Sequence, residues 1–255
     1  MSYLTGTPAG TASAGTTDVR TGLGVPGLAH PLVAPTEWRE LARPGRPLHW
    51  VVLDVADGPG ARPDPRCLEY AGRLRNAGVR VLGRLDTLYG ARSFAEVISD
   101  AQRYLDWYQV DGFLLDHCPT ERASLPELRR TAGALRTLHD APHLVLGHGA
   151  HPHPGYAEHA DQLVTFSGSW NDYRWSQAAE WTAEHPPERF CHFVHGVPRG
   201  HLDEALRIAR WQGAATIWFT DGTCGADRGG PGNPWETMPG YWDELVSRIG
   251  TGVSE

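Results

Sequence analysis

Eight short apolar segments run through this chain, most of them ending in a polar or titratable residue. They span 23–29, 48–54, 79–86, 110–116, 143–148, 162–167, 190–195 and 214–221. The clearest is VDGFLLDHCP, 110–119, where Val110, Phe113, Leu114 and Leu115 lead into Asp116 and His117 before Pro119 ends the run. Unbroken apolar character marks a strand buried on both faces, as in a parallel sheet. An acid at the end of such a strand is costly in a core but ordinary at the carboxyl-end rim of an α/β barrel, where catalytic groups sit.

Helical patterns lie between most of these segments. Phe94, Val97, Ile98, Ala101, Tyr104, Leu105 and Tyr108 follow the i, i+3, i+4 rule. Ser93 with Glu96, and Ser124 with Glu127, have capping-box spacing. Leu202, Ala205, Leu206 and Ala209 mark another helix, and 241–249 the last. Strands recur every ~20–30 residues, the length that a strand–helix–strand unit needs. No GxGxxG or GxxxxGK[ST] follows an early strand, which argues against a nucleotide-binding doubly wound sheet. The expected fold class is α/β, a single (β/α)8 TIM barrel over 22–250, behind a Gly/Thr/Ala-rich tail, 1–21, of disordered composition.

A net charge of -7 argues against nucleic acid or an anionic membrane as partner, and no apolar run has the length of a membrane span. The first residues lack the basic start and apolar centre of a signal peptide, so a cytoplasmic location is expected. Cys67, Cys118, Cys191 and Cys224 show no CxxC spacing, so neither a zinc site nor a disulfide framework is expected, nor any cofactor.

In a barrel the strand ends converge on one face. That gathers His30, Asp54, Asp86, Asp116, His117, His148, Ser167, His195 and Asp221 as site candidates. The loops behind them add Tyr89, Trp170, Tyr173, Trp175 and Trp235, flat apolar surfaces that suit sugar rings beside carboxylates. Trp50, Trp107, Trp211 and Trp218 fit core positions instead. Asp54 and Asp86 have a structural alternative, pairing with an inward arginine such as Arg84. His148, His151 and His153 in HGAHPHP read as solvated loop histidines, and Cys118 has no visible orienting group for a nucleophilic role.

Seven blocks in order, GVPGLAHPLVAPTEW, DGPGARPDP, AGVRVLGRLDTLYGAR, WYQVDGFLLDHCP, HPGYAEHADQLVTFSGSW, HFVHGVP and NPWETMPGYWDEL, make the chain resemble the spherulin-4-like family. The resemblance implies a (β/α)8 barrel related to metal-independent glycoside hydrolases that cleave galactosamine-containing polysaccharides. It also implies a catalytic Asp-Glu pair ending the fourth strand and a Glu ending the sixth. Asp116 matches the Asp, but His117 stands at the first Glu and Ser167 at the second. The family's Asn-Pro after the second strand is Ala56-Asp57, and its Asn-Pro-Gly after the fifth is His148-Gly149-Ala150.

The expectation is a glycoside-hydrolase-like barrel acting on a glycosidic or amino-sugar-like small molecule or oligosaccharide. Asp116, His117 and Asp86 would carry the acid–base chemistry. Asp54, Tyr89, His148, Ser167, Trp170, His195, Asp221 and Trp235 would bind substrate. The rival readings are a non-hydrolytic biosynthetic enzyme in the same pocket and an inactive carbohydrate-binding barrel. A metal-dependent hydrolase comes last.

Overall fold

All eight segments form parallel strands, hydrogen-bonded in chain order into a closed barrel. The computed structural model describes residues 20–224 and 232–250. Of the expected tail, all but Arg20 and Thr21 lies outside the described residues. The strands are β1 Gly22–Val25, β2 Leu48–Leu53, β3 Arg80–Asp86, β4 Gly112–Asp116, β5 His143–Gly147, β6 Gln162–Ser169, β7 Phe190–His195 and β8 Thr216–Phe219.

The helices are α1 Pro35–Leu41, α2 Pro65–Asn76, α3 Phe94–Tyr108, α4 Leu125–Leu138, α5 Trp170–Tyr173, α6 Leu202–Trp211 and α7 Trp242–Gly250. The barrel is thinnest between β5 and β7. A 3-10 turn, Pro154–His159, replaces the helix after β5, and α5 is a single turn. Elsewhere each helix lays its apolar stripe on the sheet. Val97, Ala101, Tyr104 and Tyr108 are the buried apolar residues of α3, as their spacing requires. Gly83 lets α3 come close, since a Cβ there would stand 2.6 Å from the Tyr104 ring.

Local chemistry explains where the elements begin and stop. Ser93 and Glu96 form the expected reciprocal capping box on α3. The box expected at Ser124 does not form. Ser124 belongs to a 3-10 turn, its backbone is already helical (φ -88°, ψ -5°), and its side chain makes no cap bond. β1 is shorter than 23–29 because Pro26 has no N–H to continue the ladder. Trp211 departs from its expected core position: it ends α6 and is 75% exposed.

Polar groups inside the barrel are paired across strands. Near the amino ends, Gln162 accepts from Trp50 Nε1 (2.7 Å) and donates to Thr216 Oγ1 (2.9 Å). Trp50 stands edge-on to Phe193, with ring centroids 6.0 Å apart. The amino-terminal half of the barrel is therefore filled, and open space begins above Phe193.

Candidate active site

Strand periodicity puts Arg84 and Asp86 of β3 on the same face, and the register sets Asp86 opposite Asp116 of β4. Arg84 is the hub. Its Nε donates to Asp116 Oδ2 (2.9 Å), Nη1 to Asp54 Oδ2 (3.0 Å) and Nη2 to Asp86 Oδ2 (3.3 Å). Asp57 Oδ1 lies 3.8 Å from Nη1. Burial alone would lower the guanidinium pKa, but the charges of Asp116, Asp54 and Asp86 hold it above its ordinary value. Burial acts on Asp54 in the opposite sense and raises its carboxyl, against the pull of Gly58 N–H and Arg84.

The loops around this hub are strained. Non-glycine residues take positive φ at Asp57 (50°), Leu88 (47°), Tyr89 (55°) and His117 (51°), in three successive rim loops. Such conformations cost energy and concentrate at functional sites. Hydrogen bonds enforce them here. His117 O accepts from Thr87 Oγ1 (2.7 Å) and Tyr89 N (2.8 Å), while Asp116 Oδ1 accepts from His117 N (2.9 Å).

The fixed backbone aims the His117 ring. Its Nδ1 lies 2.9 Å from Asp86 Oδ1, and Tyr89 packs against it at 5.1 Å. With Asp86 accepting at Nδ1, Nε2 is the nitrogen left for a bound molecule. β5 ends in Gly147, where a Cβ would stand 3.1 Å from Asp116 Oδ1. The carboxylate therefore sits beside bare backbone.

An open cavity of ≈ 980 Å³, solvent at its mouth included, rises from this floor. Arg84, Asp116, His117 and Tyr89 line one side, and His148, Ser167, Phe193 and Asn233–Trp235 line the other. Six expected site residues thus share the cavity: Tyr89, Asp116, His117, His148, Ser167 and Trp235. Asp54 and Asp86 stand behind it, bound to Arg84, in the structural pairing that was their alternative. His195 neighbours Trp235 (5.7 Å) without being a lining residue.

The other candidates lie elsewhere. Trp170 is 4% exposed and packs on Tyr173 and His201, because Ser169 caps the turn after β6 and folds the indole into the outer layer. Tyr173 is buried with it, and Trp175 is exposed. Asp221 accepts from Gly240 N (3.0 Å) and ties down a loop. Arg84, Phe193, Gly147 and Asn233 were not among the expected site residues. The signal for Arg84 was a lone charge within the apolar run of β3.

The histidines of HGAHPHP do not converge. His148 Nδ1 faces Cys118 O (3.4 Å), His151 Nε2 faces Gln177 O (3.1 Å), and His153 Nδ1 accepts from Gly155 N (3.1 Å). Cys118 is buried and donates to Leu115 O, and burial pushes its thiol up, away from nucleophilic use. His148 is 1% exposed, its Nε2 has no partner, and burial lowers its pKa to about 4.

His192, held between Tyr173 Oη (2.8 Å) and Thr165 Oγ1 (3.1 Å), is lowered to about 3. Both imidazoles are neutral in the fold and gain protons near pH 6.5 when it opens. Their stabilisation is therefore complete above about pH 6.5 and is lost as pH falls toward the folded values. Urea unfolding should show stability dropping by up to about 1.4 kcal/mol per pH unit per histidine between pH 6 and 4.5. A midpoint independent of pH over that range would contradict the neutral assignment.

The sequence profile of the spherulation-specific family 4 matches residues 25–249. Spherulin-4 of Physarum polycephalum is 21% identical over 209 residues. The match takes in 78% of this chain and 61% of the relative, so the chain spans less than two thirds of that protein's length. Among solved structures, Aspergillus clavatus Sph3 in complex with GalNAc superposes with a TM-score of 0.77 at 23% identity. That superposition covers 91% of this chain and 98% of Sph3. The α-galactosidase TtGalA of Thermus thermophilus, in complex with a nitrophenyl galactopyranoside, reaches 0.53 at 12% identity over 92% of this chain and 63% of its own. At these identities the likeness establishes the barrel fold.

Proposed function

The chain belongs to the spherulation-specific family 4, and from that membership and the rim geometry we propose that it is a glycoside-hydrolase-like enzyme acting on an amino-sugar-containing oligosaccharide. The observation that carries this reading is the His117–Asp86 pair set beside the Arg84-clamped Asp116 at the floor of an open cavity. His117 Nε2 is the proton carrier to the glycosidic oxygen, and Asp86 positions the ring. Asp116, tied to Arg84, is the negative charge that faces the cation developing at the sugar carbon. Tyr89 and Trp235 offer ring faces on either side, and Ser167 offers a polar contact to a sugar hydroxyl. The GalNAc bound by the structurally similar Sph3 supports an N-acetylhexosamine as the sugar recognised. A reducing, cytoplasmic location agrees with Cys67, Cys118, Cys191 and Cys224 all being free thiols.

One observation favours a second reading, a carbohydrate-binding barrel without turnover. Both oxygens of Asp116 are already hydrogen-bonded, Oδ2 to Arg84 and Oδ1 to His117 N. Asp86→Asn separates the two readings. Turnover of galactosaminide oligosaccharides should fall by roughly 10–100-fold as the ring loses its positioning partner. Binding of N-acetylgalactosamine that is unchanged by Asp86→Asn, with no turnover by either protein, would leave the binding reading standing.

A further inference from the structure

On the same rim, at the β1–β2 side, side chains from two distant stretches of sequence meet. His30 follows β1, Asp64 caps α2, and Cys67 lies in the first turn of α2. Cys67 Sγ is 3.3 Å from His30 Nε2, and Asp64 Oδ1 is 3.6 Å from the same nitrogen. One ligand atom from each residue falls within 4.8 Å of the others. We propose that these residues form a divalent transition-metal site, with zinc the best-suited ion.

The 3.3 Å between Cys67 Sγ and His30 Nε2 is what a tetrahedral ion requires, and Asp64 offers its ligand within the same 4.8 Å cluster. Metal–ligand bonds of about 2.0–2.3 Å at the tetrahedral angle place neighbouring donor atoms about 3.3–3.6 Å apart. The donor set is one thiolate, one imidazole and one carboxylate, a combination that favours zinc over the oxygen-seeking magnesium or calcium. Thiolate and carboxylate together balance the dication, so the loaded site is neutral. The fourth position has somewhere to open, because His30 and Asp64 line a groove of ≈ 940 Å³ with Val55, Gly60 and Arg62. Three protein ligands with an accessible fourth position is the pattern of a site that holds water or a small anion.

Loading the site rearranges two protons and loosens one exposed hydrogen bond. Without metal, His30 Nδ1 accepts from Leu32 N (3.2 Å), which places the ring proton on Nε2. On binding, the ring takes the Nδ1–H tautomer, Leu32 N–H turns to solvent, and Cys67 loses its thiol proton to bulk water. One proton is released per ion, and no oxidant or reductant takes part. Both cap bonds of Asp64, from Arg66 N and Cys67 N, use Oδ1, so Oδ2 is available to the metal with the α2 cap retained. The site is independent of the reading of the cavity above. It reaches that cavity's scaffold through Asp54, whose charge is felt at Cys67 and whose Oδ2 holds Arg84.

Cobalt(II) titration of the chelator-stripped, reduced full-length protein tests the proposal optically. The expected result is one ion per chain, with a near-ultraviolet thiolate-to-cobalt band and intense visible bands of tetrahedral cobalt, all displaced by zinc. Cys67→Ser should abolish the near-ultraviolet band, and His30→Gln should weaken binding by more than the roughly 10–100-fold that losing an outer-shell partner costs. Cys224→Ser should leave the spectrum intact, although Cys224 Sγ lies 3.6 Å from His195 Nε2. Circular dichroism confirms that each variant is folded. The proposal is overturned if no saturable thiolate band appears, or if the band survives Cys67→Ser and His30→Gln and vanishes in Cys224→Ser.

Discussion

Arg84→Met should cost this barrel about 3 kcal/mol, lowering its melting temperature by roughly 6–12 °C at neutral pH. The side chain is 17% exposed and neutralises Asp54, Asp86 and Asp116, themselves 19–29% exposed. Methionine fills much of the same volume, so packing is nearly preserved and the loss reports charge. Three carboxylates would then face one another across the ends of β2, β3 and β4 without the guanidinium between them. Arg84→Lys should recover part of the stability, since an ammonium supplies the charge but not the fork that reaches three acceptors at once. Thermal denaturation of the three proteins side by side gives the result, and equal melting temperatures for Arg84→Met and wild type would remove Arg84 from the centre of the site.

Asp116→Asn should lower kcat on a galactosaminide substrate by roughly 10³-fold while leaving the fold intact. Asparagine keeps the shape and can still accept from Arg84 through its amide oxygen, at the loss of the bond from His117 N, so the variant changes chiefly the charge facing the reacting carbon. The effect should fall on kcat more than on KM, because the carboxylate matters most where positive charge develops. A KM change with kcat preserved would make Asp116 a binding group only.

The barrel was legible in the sequence because parallel strands are buried on both faces and therefore read as unbroken apolar runs. Asp116 and His117 were legible for the same reason, since they interrupt such a run where a barrel strand reaches its rim. Side-chain direction was not. Sequence position favoured Asp116 over Asp54 and Asp86, for which pairing with Arg84 was the alternative; Arg84 bonds all three, and of the three Asp116 alone lines the cavity. Trp170 does not line the cavity because Ser169 caps a helical turn that begins at Trp170, a capping choice that spacing did not reveal.

Cysteine spacing likewise spoke against a zinc site, since that rule looks for ligands close in sequence. His30 meets Cys67 because β1 pairs with β2, which sets the loop after β1 against the start of α2. The departures from the family's carboxylates also look different in three dimensions. His117, which the family resemblance sets at a Glu position, is held by Asp86, Tyr89 and a strained backbone fixed by Thr87. Ser167 has no comparable support among the described contacts.

On the reading proposed above, the cavity over Asp116 and His117 cleaves a glycosidic bond to an amino sugar. Mass spectrometry of defined galactosaminide oligosaccharides incubated with the wild-type chain reads this out. Shorter oligosaccharides should form with time and with enzyme concentration. Intact oligosaccharide that binds saturably at the cavity, with no shortened product after prolonged incubation, would contradict it.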